Sequence, residues 1–384
     1  MGFLRILSAV MLFGVIAYSC EQNDPIPVVT DYNLHLRWNK AFETETAEDV
    51  VLGLSWAMSY LGAELPKQTY DSAIVWLRND LLKVDFSLLG FSDEALLSMH
   101  VILTKIRSNE EYTMMGGIDV GRFIMLTLSN PNHYYKLTEA KDQLRDFENL
   151  YQFDKKSVGI TNSGVAFEHR LIEISEGKEL EEIAFIAYEG SGSLLDDTFE
   201  HEEIEVMDFM PNGQVKFALY NKQGNLKTGA SKELTRAGKP AKCLWCHDLS
   251  LQSIHKEQED VVNMLNQDEF NSLIESLRKV AEEYRIKRGG AIDLNDTRSH
   301  TIMEYLYLSF MEPSAERLAQ EWGLSITQVK SLLQGNPTHP QHEFIILGER
   351  LYNRHDIEHL APYSGITVSE SARETSSMEI NLFD

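Results

Sequence analysis

Two cysteines and a histidine fall within five residues: Cys243, Leu244, Trp245, Cys246 and His247 read Cys-x-x-Cys-His. Thiols three positions apart lie within one helical turn, on one side of a helix. Four chemistries fit that spacing. The thiols could cycle between dithiol and disulfide. They could supply half of a zinc site, which needs four ligands. They could close a short structural loop. They could also form thioethers to the two vinyl groups of a haem, with His247 reaching the iron as proximal axial ligand from the same side. The surroundings separate these options. A thioredoxin-like site carries an aromatic residue before its first cysteine, where this chain has Lys242. No second cysteine pair exists, and His255 alone does not complete a zinc shell.

The compartment bears on the choice. The chain has 384 residues, 35 basic and 59 acidic, for a net charge of −24. Nucleic acids and anionic lipid surfaces call for a basic footprint, so neither is an expected partner. Ile6 to Ser19 is apolar and follows Arg5. Such a run is too short to span a bilayer and suits the apolar core of a signal peptide. It ends at Ala17-Tyr18-Ser19-Cys20. Small residues before a cysteine resemble a bacterial lipobox, with Ala17 standing where leucine is usual. By that resemblance Cys20 is lipidated, the protein is exported and anchored to a bacterial membrane through this lipid only, and it faces the periplasm or cell surface. The mature chain then keeps two of its three cysteines, both in the motif. An oxidising compartment would pair two idle thiols, so a specific use is expected for them.

The motif resembles the attachment signature of c-type cytochromes, and export agrees with it because haem is attached on the exported side. The resemblance covers five residues. It implies one covalent haem c held by Cys243 and Cys246, His247 on the iron, electron transfer as the function, and a redox partner protein that would be basic if it docks on the acidic surface. Trp245 would pack on the macrocycle or the core, and Arg236, Lys239 and Lys242 could neutralise propionates. The distal ligand stays open. Met264 is the nearest candidate, with Met303 and Met311 farther on and His169, His201, Met207 and Met210 supplied by the region before the motif. An alternative is a five-coordinate haem that binds a small gas or peroxide, as sensor or peroxidase. A peroxidase needs a distal acid–base group, for which His169 is the first candidate. A third reading is a haem-free adaptor or structural lipoprotein with a Cys243–Cys246 disulfide.

The elements that must position the motif are legible in part. Thr46 with Asp49 has the form of a capping box, and Val50, Leu54, Ala57 and Leu61 follow at helical spacing. Ser92 starts a second helical pattern, and Phe123 to Leu128 is an apolar run that stops at Asn130-Pro131. From about 157 to 228 short β-branched and aromatic runs alternate with turns such as Pro211-Asn212-Gly213 and Gln223-Gly224-Asn225, which predicts an antiparallel meander. After the motif, Val261, Met264, Phe270, Leu273, Leu277, Val280 and Tyr284 form a helical stripe ending at Gly289-Gly290. Further helices fit 300–311 and 313–334. The expected class is α+β. Its parts are a signal peptide 1–19, a tether 20–35, a mostly helical region 36–150, a β region 151–235, the haem-attachment segment with a helical region 236–360, and a loose tail 361–384. The sheet ahead of the motif is similar to the cytochrome c-prime beta group, whose sheet covers the haem and leaves an open apolar distal side. Here 137 residues follow His247, more than that group implies.

Two other patterns stand out. Ala319, Gly323 and Val329 have helix-turn-helix spacing, but Lys330 is the only base on the second helix, so a helical corner is expected. His339, His342, His355 and His359 cluster near acidic residues and could bind metal or lie as surface histidines.

Overall fold

The computed structural model describes residues 31–153, 156–236, 238–247, 251, 260–374 and 379–384, apart from the side chains of residues 241, 245 and 246. One compact unit spans Tyr32–Asp384. Cys20, the signal-peptide region, the tether up to residue 30 and His255 lie outside the described residues. Among the described residues no helix is long and apolar enough to cross a membrane.

The architecture is α+β, with two sheets. The first has the order β2-β3-β1-β4, from β1 (Asn33–Arg37), β2 (Ile74–Arg78), β3 (Leu81–Asp85) and β4 (Ile118–Asp119). β1 pairs antiparallel with β3 and parallel with β4. Residues 36–150 are mostly helical, but this small sheet was not anticipated there, and β1 takes up the end of the expected tether. Its strands have five residues or fewer, too short for periodicity to separate them from buried helix.

Helices α1 (Ala47–Ser59) and α2 (Asp93–Arg107) begin where their caps predict. Thr46 Oγ1 accepts from the Asp49 amide and Asp49 Oδ2 from the Thr46 amide, each at 3.1 Å. α3 (Val120–Ile124) runs through a π-helical turn to Ser129, and Asn130 with Pro131 then starts α4 (Pro131–Leu137).

The second sheet is the expected meander, β5 (Lys156–Ile160), β6 (Arg170–Ser175), β7 (Ala184–Ser191), β8 (Glu200–Phe209) and β9 (Val215–Asn221), paired antiparallel in chain order. Register places Ile174, Phe185, Met207 and Phe217 in one row across four strands, and Ile172, Ala187 and Glu205 in the next. Side chains alternate along a strand, so these rows share one face.

α5 (Pro240–Cys246) carries the motif. α6 (Gln267–Arg288) follows, capped by Asn266 and Glu269. The stripe drawn from Val261 therefore starts too early. Val261 and Met264 precede the helix, and the Leu265 amide bonds the Ser157 carbonyl of β5 at 2.9 Å. α7 (Thr297–Met311) packs between α1 and α3. At that crossing a Cβ on Gly121 would lie 2.6 Å from the Leu306 carbonyl oxygen, so only glycine fits. α8 (Ala315–Trp322) and α9 (Ile326–Leu332) form the helical corner, turning on Gly323 at φ 65°.

The C-terminal segment is docked, not loose. Ile366, Val368 and Leu382 are buried, and His133 Nε2 accepts from the Leu382 amide at 2.9 Å. Sparse apolar residues hid this packing in a polar stretch.

Candidate functional site

The motif helix starts on Pro240, whose missing amide costs nothing at a first turn, and ends as His247 closes on the Cys243 carbonyl at 3.0 Å. Three positions, just under one turn, separate residues 243 and 246. The helix packs on β9 and on the π-helical turn, with Leu244 buried beneath it. The Cys243 thiol is half-buried and 3.9 Å from the Lys239 carbonyl.

His247 stands over the sheet. Its ring lies against Phe217 of β9, with centroids 5.4 Å apart and planes at 48°. The same ring lines a cavity of about 90 Å³ on the face already described. β6 gives Arg170 and Ile172, β7 gives Phe185 and Ala187, β8 gives Glu205 and Met207, and Phe270 and Ile274 of α6 close the other side with Leu251.

Two charged groups sit in this apolar lining. The Arg170 side chain is 7% exposed and forms ion pairs with Glu189, at 2.6 Å, and with Glu205. Glu189 is fully buried. Burial pushes the Glu205 carboxyl up to about 8, and the Glu189 charge adds to this. Burial raises Glu189 too, although Arg170 opposes it. Burial would lower the Arg170 guanidinium, but its two carboxylates outweigh that and raise it. One guanidinium thus faces two carboxyls, one of which retains a proton near neutrality. Glu205 Oε1 is buried and accepts no hydrogen bond from the described residues.

Of the candidate ligands, the fold brings Met207 and His247 into one cavity. Met264 is elsewhere. Its sulfur lies 3.3 Å from where a Cβ on Gly159 would stand, and Gly159 alternates to the opposite face from Val158 and its partner Ile172. Met303 and Met311 are buried in α7, and Met210 lies near Gly62. His201 packs on Tyr188. His169 does not line the cavity, and its Nδ1 accepts from the Leu194 amide at 2.7 Å. Glu205, not His169, lines the cavity with His247.

The three bases are also engaged elsewhere. Lys239 is buried against Glu379 at 3.0 Å, with burial lowering its ammonium. Lys242 pairs with Glu374 at 2.6 Å, and Arg236 stacks on Phe167 at 5.3 Å. The four C-terminal histidines do not gather. His339 faces Glu312 at 3.2 Å while His355 and His359 line a separate cleft. Among the described residues no group of three or more His, Cys, Asp or Glu could hold a metal ion.

Sequence reasoning missed Arg170, Glu189 and Glu205. Their signal was alternation, since Arg170 shares its parity with Ile172 and Ile174 on β6. A charge on an apolar face is the anomaly that should be flagged.

No protein-family model matches the chain, and neither a curated protein nor a solved structure matches it.

The residues fit a haem in kind: an imidazole, a half-buried thiol, an apolar slot and a polar pair with an unmet acceptor. The volume does not fit as it stands. Cofactor pockets begin at about 300 Å³, so the cavity would have to widen to take a macrocycle.

Proposed function

We propose that the chain is an extracytoplasmic, lipid-anchored mono-haem c-type protein that binds a small gas or peroxide. Cys243 and Cys246 would carry the haem, His247 would hold its iron, and Cys20 would carry the lipid. When bound, the haem supplies an iron that exchanges one electron and accepts a sixth ligand. The observation that carries this reading is the shared cavity, in which His247 faces an apolar sheet interrupted only by Arg170 and Glu205. Burying that pair costs several kcal/mol of desolvation. A site for a polar diatomic or peroxide can use it, because Arg170 can donate to a bound oxygen and Glu205 can give or take a proton there.

Met207 favours a second reading, electron transfer to a redox partner protein. A thioether in the same cavity would complete a six-coordinate iron.

The test is to export residues 21–384 in cells with the cytochrome c maturation machinery and measure intact mass with a denaturing haem stain. One haem, lost on Cys243→Ala with Cys246→Ala, is expected. A bare polypeptide with the two cysteines joined would sink the haem reading and leave the adaptor. Carbon monoxide then separates the two uses. It should bind the reduced native protein directly. If it binds only after Met207→Ala, the protein is a carrier.

A further inference from the structure

A second cleft lies on the other face of the same sheet. Glu205 and Met207 of β8 point to the first cavity, so Asp208 points away from it. Asp208 lines a cleft of about 540 Å³ between the meander and the N-terminal helices, within the range of small-molecule sites. None of the motif residues lines it.

Its polar groups are organised around Asp208, whose side chain is 3% exposed. Asp208 Oδ2 accepts from the Tyr151 hydroxyl at 2.8 Å and faces Lys216 Nζ at 3.2 Å. Oδ1 accepts no hydrogen bond from the described residues, a buried acceptor short of a donor. Tyr151 spends its proton on Asp208 and keeps its own lone pairs free to accept. Lys216 has further N–H groups to donate.

On the rim, Glu139 stands at φ 56° as the left-handed cap of α4, with the Ala140 amide bonded to the Tyr135 carbonyl at 2.9 Å, and its carboxylate accepts from the Ser92 hydroxyl.

Charge selects the ligand class. Asp208 and Glu139 are balanced by Lys216 and Lys141, and Glu64 is paired with Arg288 at 2.9 Å. Two acids against two lysines leave this part of the cleft without net charge, so it suits a guest without net charge. The wall around Tyr151 is apolar, and Leu150 stands 57% exposed at its edge. Hydrogen-bond donors and acceptors beside an apolar platform match hydroxyl-rich rings with one apolar face.

We propose that this cleft binds a neutral polyhydroxylated small molecule, one or two sugar rings in size, held by Asp208, Tyr151, Lys216 and Glu139. The site is independent of the haem reading.

The test uses the mature exported chain with glucose, galactose, N-acetylglucosamine, maltose and cellobiose as probes, read by saturation-transfer NMR and calorimetry. At least one should bind, and Asp208→Asn should weaken it by at least about tenfold. Glu139→Gly should weaken it several-fold without lowering the melting temperature, because glycine takes the left-handed backbone freely. That variant keeps the test sound if Asp208→Asn folds poorly. Failure of all five probes to bind the native chain, or binding unchanged in both variants, overturns the proposal.

Discussion

At the scale of residues, burial strongly perturbs Glu205. Its folded pKa lies above its unfolded one, so it contributes stability that is fully present below about 4.5 and lost as pH rises through about 8. Glu205→Gln should therefore change little at pH 5 and stabilise by about 1–3 kcal/mol at pH 8.5. Urea titrations of the haem-free Cys243→Ala, Cys246→Ala chain at the two pH values would show it. Equal effects at both would mean that Glu205 is ionised throughout. Cys243, Cys246 and His247 were legible because the chemistry is local, three groups within five residues. Glu205 was not, because its partners Arg170 and Glu189 come from other strands and only register unites them.

At the scale of elements, the C-terminal segment is locked at two points. His133 is neutral in the fold, since burial lowers its pKa to about 4. Its Nδ1 bonds the Leu126 carbonyl and its Nε2 accepts from Leu382. The unfolded chain binds the extra proton between about 4 and 6.5, so stability falls as pH drops through that window, by up to about 3 kcal/mol. His133→Gln should flatten that slope, and denaturant midpoints at pH 7 and pH 5 would measure it. The second lock is Lys239 with Glu379. Lys239→Met would leave a buried carboxylate unpaired and should cost about 3 kcal/mol. A midpoint unchanged from wild type would mean that the segment does not hold the motif helix. Caps made α1 and α2 readable, because Thr46 and Ser92 act within one turn. The four-stranded sheet was not readable, because its parallel β1–β4 pair joins residues some eighty apart.

At the scale of the whole molecule, a buried charge cluster ties distant segments together. Arg354 grips Glu321 with two bonds of 2.7 Å, and Arg317 grips Asp119 with bonds of 2.8 and 2.9 Å. Arg122 forms an ion pair with Glu111 at 2.7 Å. All three guanidiniums stack on Phe310, at 4.2, 5.7 and 4.9 Å in that order. Burial would raise the Glu321 carboxyl, but Arg354 and Arg317 overcome it and hold it down at about 2. That stability is present above the unfolded value and lost as pH falls toward 2. Arg354→Met should destabilise by about 3–5 kcal/mol at pH 7, because Glu321 would lose its main partner in a dry site. A loss under 1 kcal/mol by chemical denaturation would show the cluster to be dispensable. Gly121→Ala, at the neighbouring crossing of α3 and α7, should cost about 1–3 kcal/mol through overpacking.

The sequence by itself determined the α+β class, the meander and the starts of α1 and α2, and it singled out Cys243, Cys246 and His247. Each of these rests on neighbours in the chain, through caps, turns, alternation or motif spacing. Tertiary structure decided the rest. It set Met207, not Met264, in the cavity with His247, because strand parity sends Gly159 to the opposite face. It drew Lys239 and Lys242 to the C-terminal segment and enclosed Arg170 between two carboxyls. These depend on which strands pair and in what register, and pairing is fixed by the burial of whole faces rather than by any residue's neighbours.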